Sequence, residues 1–230
     1  MRVAINYGNP VLAQKAADGT PQGVSVVLAK ALGRELGIPV TFSTYDAAGK
    51  VFTALETQAW DVAFIAIDPV RAEQILFSEP YVLIEGTYLV ARDAGFHRVG
   101  ELDQPGIRVA VGQGSAYDLY LTRALKHAQL VRVATSAAAI EAYREQRLDA
   151  AAGVRQPLEK AAAQDPNVRV LSESFTSIRQ AMAVPQGHQA GAAYIQAFVE
   201  RMKASGFVRS ALIESGQADV SAPPESGLVP

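Results

Sequence analysis

Trp60-Asp61-Val62-Ala63-Phe64-Ile65-Ala66-Ile67-Asp68-Pro69-Val70-Arg71 decides how this chain folds. The unbroken apolar run from Val62 to Ile67 reads as a strand buried on both faces, as in a parallel sheet. Asp68 then stands as a helix N-cap and Pro69 at the first helical position, where its fixed φ and missing N–H cost nothing. Arg71 falls in that first turn. A strand ending in such a turn opens a crevice at the carboxyl edge of the sheet, where open α/β sheets bind small ligands. Ala66, at the end of the strand, borders that crevice. Arg71 faces it with a planar fork suited to a carboxylate; an arginine solvated on the helix and paired with a neighbouring Glu is the plain alternative.

Upstream, residues 2–7 read as a first strand closed by the turn cluster Gly8-Asn9-Pro10, which leaves Asn6 and Asn9 at the same edge. Val24, Val27, Leu28, Ala31, Leu32 and Leu36 keep helical spacing up to Gly37 and Pro39. Residues 40–45 form a second strand and residues 49–59 a second helix, so strands alternate with helices as in a doubly wound α/β lobe. Downstream, residues 81–91 form a long strand in which Gly86 suits a bend or bulge. The alternation then resumes: strands at 107–111, 130–134, 148–152 and 168–171, helices at 116–127, 137–145 and 157–163. A returning strand at 180–185 precedes helices around 193–202 and 208–213.

The order Asp-Val, apolar strand, Pro-x-Arg, then Phe77-Ser78-Glu79-Pro80-Tyr81 resembles the extracellular solute-binding proteins of family 3, from about residue 2 to about residue 215. The resemblance implies a type II periplasmic-binding-protein-like fold: two doubly wound α/β lobes joined by a two-strand hinge. Lobe 1 is then expected at residues 1–88 plus 186–225 and lobe 2 at 89–185. Residues 226–230, Ser-Gly-Leu-Val-Pro, read as the front of a thrombin-site linker left from cloning.

Gly112-Gln113-Gly114-Ser115-Ala116-Tyr117-Asp118 lies at a strand-to-helix junction, where Ser115 and Asp118 have capping-box spacing and outward amides would attract an anion. A simple helix cap is the other reading, and Asp118 already brings negative charge. In the family the matching turn contacts the ligand carboxylate, which implies that role for Gly114, Ser115 and Ala116, as it does for Arg71. A dinucleotide fingerprint does not fit, because Tyr117 stands at its third glycine position. A hydrolase elbow does not fit either, since the Gly-x-Ser-x-Gly frame is missing.

Two departures from the family pattern bear on the ligand. After Leu148-Asp149-Ala150-Ala151, amino-acid receptors carry an Asp that pairs with the ligand ammonium, whereas this chain has Gly153 and Val154, then Arg155. The ligand then lacks that charge, or Glu85, Asp68 or a carbonyl replaces the acid. Ser25 stands where an acidic residue is common, and Ala48 where an aromatic platform is.

Composition narrows the partners. Hydrophobic residues make up 49% and charged residues 19% of 230, with a net charge of −2 and no basic stripe, which argues against a nucleic-acid surface. No apolar run reaches the roughly 20 residues of a membrane helix. Cysteine is absent, and His97, His127 and His188 are isolated, so no metal or cofactor is expected. The expected function is capture of a small anionic or zwitterionic, carboxylate-bearing solute, an amino acid or related organic acid, between two lobes. The protein would be a periplasmic monomer without catalytic activity, entering the sequence without its leader, and would deliver the solute to an ABC transporter permease. A dehydratase-like enzyme on the same fold and the ligand-sensing module of a regulator are the rivals.

Overall fold

The computed structural model describes residues 1–223; the Ser226–Pro230 tail and the last residues expected in lobe 1 lie outside them. The described chain divides into two compact units, unit 1 from Met1–Leu83 and from Arg179 onward, and unit 2 from Ile84–Ile178.

Unit 1 opens with strand β1 (Arg2–Asn6), a small hairpin of β2 (Gln14–Lys15) and β3 (Pro21–Gln22), and helix α1 (Val24–Leu36). Helix α1 follows the apolar spacing and buries Val24, Leu28 and Leu32. Gly37 ends it in the left-handed region (φ 66°), its amide donating back to the Gly33 and Arg34 carbonyls. Strand β4 (Thr41–Tyr45), helix α2 (Ala48–Thr53), strand β5 (Val62–Ala66), helix α3 (Pro69–Ala72) and strand β6 (Ile75–Phe77) follow. The helix expected over 49–59 is shorter: α2 tightens into a 3₁₀ turn at Ala54–Thr57 and stops at Gln58 in the left-handed region. The reason is Trp60, whose indole is buried and donates from Nε1 to the Val51 carbonyl at 2.9 Å, folding the segment back on α2.

Strands β4 and β5 flank β1 in parallel, so the loops after Asn6, Tyr45 and Ala66 leave one edge side by side. Every residue of β5 is buried, in line with its unbroken apolar run. Ala4, Val51, Trp60, Ala63, Ile65, Ile75 and Ala183 form one core cluster, each large side chain contributing about 1.5–3 kcal/mol.

Strand β7 (Val82–Ala91) carries the chain into unit 2. There β8 (Arg108–Gly112), α4 (Ala116–Ala124), β9 (Gln129–Val133), α5 (Ser136–Glu145), β10 (Ala150–Val154), α6 (Arg155–Ala163) and β11 (Val168–Val170) follow. The strand order is β7-β10-β8-β9, with β11 on the other side of β7. Strands β8, β9 and β10 run parallel, and β7 runs antiparallel to β10. No bend occurs at Gly86: it pairs with Val154 inside a continuous β7. Its small size serves packing, since a Cβ there would come within 2.9 Å of the Phe175 ring.

Strand β12 (Thr176–Pro185) returns the chain to unit 1, where its later residues pair with β5 and β6, and α7 (Gln189–Ala204) and α8 (Phe207–Glu214) complete the unit.

Candidate ligand-binding site

In unit 1, Asp68 caps α3 as its sequence position dictates, its Oδ1 accepting the Val70 amide at 2.9 Å. Arg71, three residues on, is 1% exposed, and its Nη1 donates to the Ala66 carbonyl at 2.7 Å. Desolvation brings its guanidinium down to about 10, partly offset by the charge of Asp68. The cation is therefore held at the carboxyl end of β5 rather than solvated on the helix. Asn6 folds its Oδ1 onto the Gly8 amide at 2.8 Å, an Asx turn that shapes the loop leaving β1. Asn9, further along that loop, is buried, and its Oδ1 has no hydrogen-bond partner among the described residues.

The same edge carries a crevice of about 680 Å³ lined by Tyr7, Lys15, Thr44, Tyr45, Asp46 and Lys50. Lys50 pairs with Asp46 at 2.7 Å. Lys15 comes from the β2–β3 hairpin, whose strands are too short to leave a periodic signal in the sequence.

In unit 2, Ser115 caps α4 by accepting the Asp118 amide at 3.0 Å. The reciprocal bond differs from the expected capping box. Asp118 Oδ2 accepts from the Gly114 amide at 2.8 Å, which Gly114 presents by adopting φ 69°, while the Ser115 amide donates to the Gly112 carbonyl. Gly114 and Ser115 therefore do not present outward amides. The Ala116 and Tyr117 amides, in the first turn of α4, are the ones aligned with its positive end. Asp118 is buried and also receives Arg132 Nε at 2.9 Å.

Glu85 does not stand free either. It pairs with Arg155, whose guanidinium also donates to the Leu171 and Ser172 carbonyls. Gly153 is buried in β10, and a Cβ there would sit 3.1 Å from the Leu158 side chain, so its role is to let α6 close on the strand.

The model of one protein family, the bacterial extracellular solute-binding proteins, family 3, matches residues 1–212. The chain belongs to that family. Solved family-like structures agree in fold. A cysteine-binding protein from Campylobacter jejuni aligns at TM-score 0.81, 21% identical, over 100% of this chain and 92% of its own. A histidine kinase sensor domain similar to periplasmic binding proteins aligns at 0.82, 22% identical, over 97% of each chain. An ancestral amino-acid-binding protein, described as a precursor of cyclohexadienyl dehydratase, aligns at 0.77, 26% identical, over 93% of each chain. None of the curated protein sequences matches.

For a family 3 solute-binding protein, the two edges are built differently. Unit 1 brings Ala66, Asp68 and Arg71 together within one turn, and unit 2 brings Gly114, Ser115 and Ala116 together around Asp118. Tyr117 also fixes the α4 terminus, its hydroxyl donating to Ser136 Oγ at 2.7 Å. Among the described residues there is no cluster of His, Cys, Asp and Glu able to hold a metal, and no helix long and apolar enough to cross a membrane.

Proposed function

We propose that this family 3 protein captures a small carboxylate-bearing solute and hands it to an ABC transporter permease in the periplasm, acting as a monomer and without chemistry. Unit 1 would serve as lobe 1 and unit 2 as lobe 2. Arg71 would hold the carboxylate, with the α4 terminus at Ser115 and Ala116 adding amide contacts. The observation that carries this reading is the fully buried Arg71 guanidinium at the carboxyl end of β5. Burial penalises that cation, and an anionic ligand beside it would offset the penalty. The amino-acid binders among the structural neighbours lend support. A catalytic role is disfavoured because the carboxyls that could act as general acid are engaged, Glu85 with Arg155 and Asp68 with the α3 cap.

Calorimetric titration of a panel of simple carboxylates and amino acids against the parent and Arg71→Ala tests the reading. Loss of the charge-assisted contact is expected to weaken binding about thirtyfold, roughly 2 kcal/mol. Equal affinity of the variant for the solute that binds the parent would overturn the site. Light scattering coupled to size exclusion tests the monomer.

A further inference from the structure

We infer that unit 1 carries a second binding site, for a small primary alkylammonium, in the cavity between the loop leaving β1, the β2–β3 hairpin, α1 and the end of α8. It shares no residue with the carboxylate site proposed above.

The cavity measures about 300 Å³, at the lower end of the range of about 300–1,000 Å³ in which small-molecule pockets fall. Pro10, Val11, Val27 and Ala211 line it with apolar surface, and Val11 and Ala211 are buried. The polar lining is rich in acceptors. Ser215 gives its one hydroxyl proton to the Ala211 and Leu212 carbonyls, at 2.7 and 3.1 Å, so only its lone pairs are left for a ligand. Gln14 and Gln22 are cross-strand partners in the hairpin, and Gln14 turns its Nε2 to the Pro10 carbonyl at 2.7 Å, leaving its oxygen without that contact. Glu214, ionised, only accepts. Among the described residues, no basic side chain lines the cavity.

The end of α8 supplies the second, independent observation. The dipole of a helix is negative at its carboxyl end, where cations are favoured. Here the last residue is Glu214 itself, and the last turn holds no basic residue. Arg209, the helix's own cation, donates instead to the Ala218 and Val220 carbonyls. Glu214 has no hydrogen bond or ion pair among the described residues. The carboxylate and the helix end therefore add their negative potential at one wall of an apolar cavity, and a cation placed there would offset both.

A primary ammonium answers each feature: its charge and N–H donors meet Glu214, Ser215 and the Gln14 oxygen, while its alkyl chain covers Val11, Val27 and Ala211. A quaternary ammonium brings the charge without the donors, and no aromatic ring lines the cavity to receive it.

The test titrates n-hexylammonium, hexyltrimethylammonium and hexanoate calorimetrically into the parent, Glu214→Gln and Arg71→Ala, with methyl NMR of Val11 and Val27 to locate binding. Hexylammonium is expected to saturate one site in the parent and to move both sets of methyl resonances. Glu214→Gln should weaken it about tenfold, the loss of one charge-assisted contact. Hexyltrimethylammonium should bind the parent at least fivefold more weakly than hexylammonium, and Arg71→Ala should bind hexylammonium as the parent does. No saturation by hexylammonium below about 10 mM, equal affinity in Glu214→Gln, or equal affinity for the quaternary ion would overturn the inference. So would hexanoate moving the same methyl resonances at equal affinity. Weaker hexylammonium binding in Arg71→Ala would place the amine at the solute site and overturn the second site alone. Failure of every carboxylate to bind the parent would overturn the solute reading while leaving the amine titration to decide this one.

Discussion

Asp118 shows at the residue scale how one buried carboxylate organises a turn. It accepts the Gly114 amide and Arg132 Nε, while its own amide goes to Ser115 Oγ. Replacing it by Ala strands a buried amide and removes the partner of a half-exposed arginine. We expect Asp118→Ala to lower stability by about 2–3 kcal/mol in urea titration; a loss below 0.5 kcal/mol would show the carboxylate to be dispensable. Ser115 as a cap was legible from its spacing to Asp118. That the carboxylate would reach Gly114 and not the Ser115 amide was not, because it depends on the left-handed φ of Gly114, which a neighbouring side chain does not announce. The place of Arg71 in the first turn after β5 was legible from Asp68 and Pro69 before it. Its complete burial, the pairing of Glu85 with Arg155 and the orphaned Asn9 oxygen arise from contacts distant in sequence, to which periodicity is blind.

Close approach dominates among the elements. Gly112 ends β8 where α5 begins, and a Cβ on it would lie 2.8 Å from the Ser136 amide nitrogen. Backbone cannot yield as a flexible side chain can, so Gly112→Ala is expected to cost about 1–3 kcal/mol by differential scanning calorimetry. A variant melting with the parent would show that α5 shifts freely. The long, strongly patterned elements were read from sequence alone: α1 with its Gly37 cap, and β5 with its apolar run, end within a residue or two of the expected positions. The short ones escaped. Strands β2, β3 and β6 have too few residues for alternation to show, and α2 ends early because Trp60 must enter the core. Gly86 looked like a bend, but the ring of Phe175, almost ninety residues on, is what requires it to be small.

At the scale of the whole molecule, acid should weaken the fold through depressed carboxyls in both units. A side-chain bond from Arg2 holds Asp61 below its ordinary 3.8. Burial alone would raise Asp103, yet the amides of His127, Ala128 and Lys126 outweigh it and hold that carboxyl below 3.8 too. A carboxyl depressed in the folded state stabilises above its unfolded value and loses that contribution as pH falls through its folded one. Urea midpoints should therefore be level above about pH 5 and drop below pH 3.8, with Asp103→Asn giving a shallower acid slope; an identical slope would remove Asp103 from the account. Small-angle scattering is expected to show a smaller radius of gyration with bound solute than without, if capture draws the units together; an unchanged radius at saturation would refute closure. The insertion of unit 2 between Leu83 and Arg179 also has a mechanical consequence. Tension applied at Met1 and Pro223 enters through unit 1 at both points, leaving unit 2 an unloaded loop until its host gives way. The first rip in an optical-tweezers trace should release contour length from unit 1, with the inserted unit yielding second.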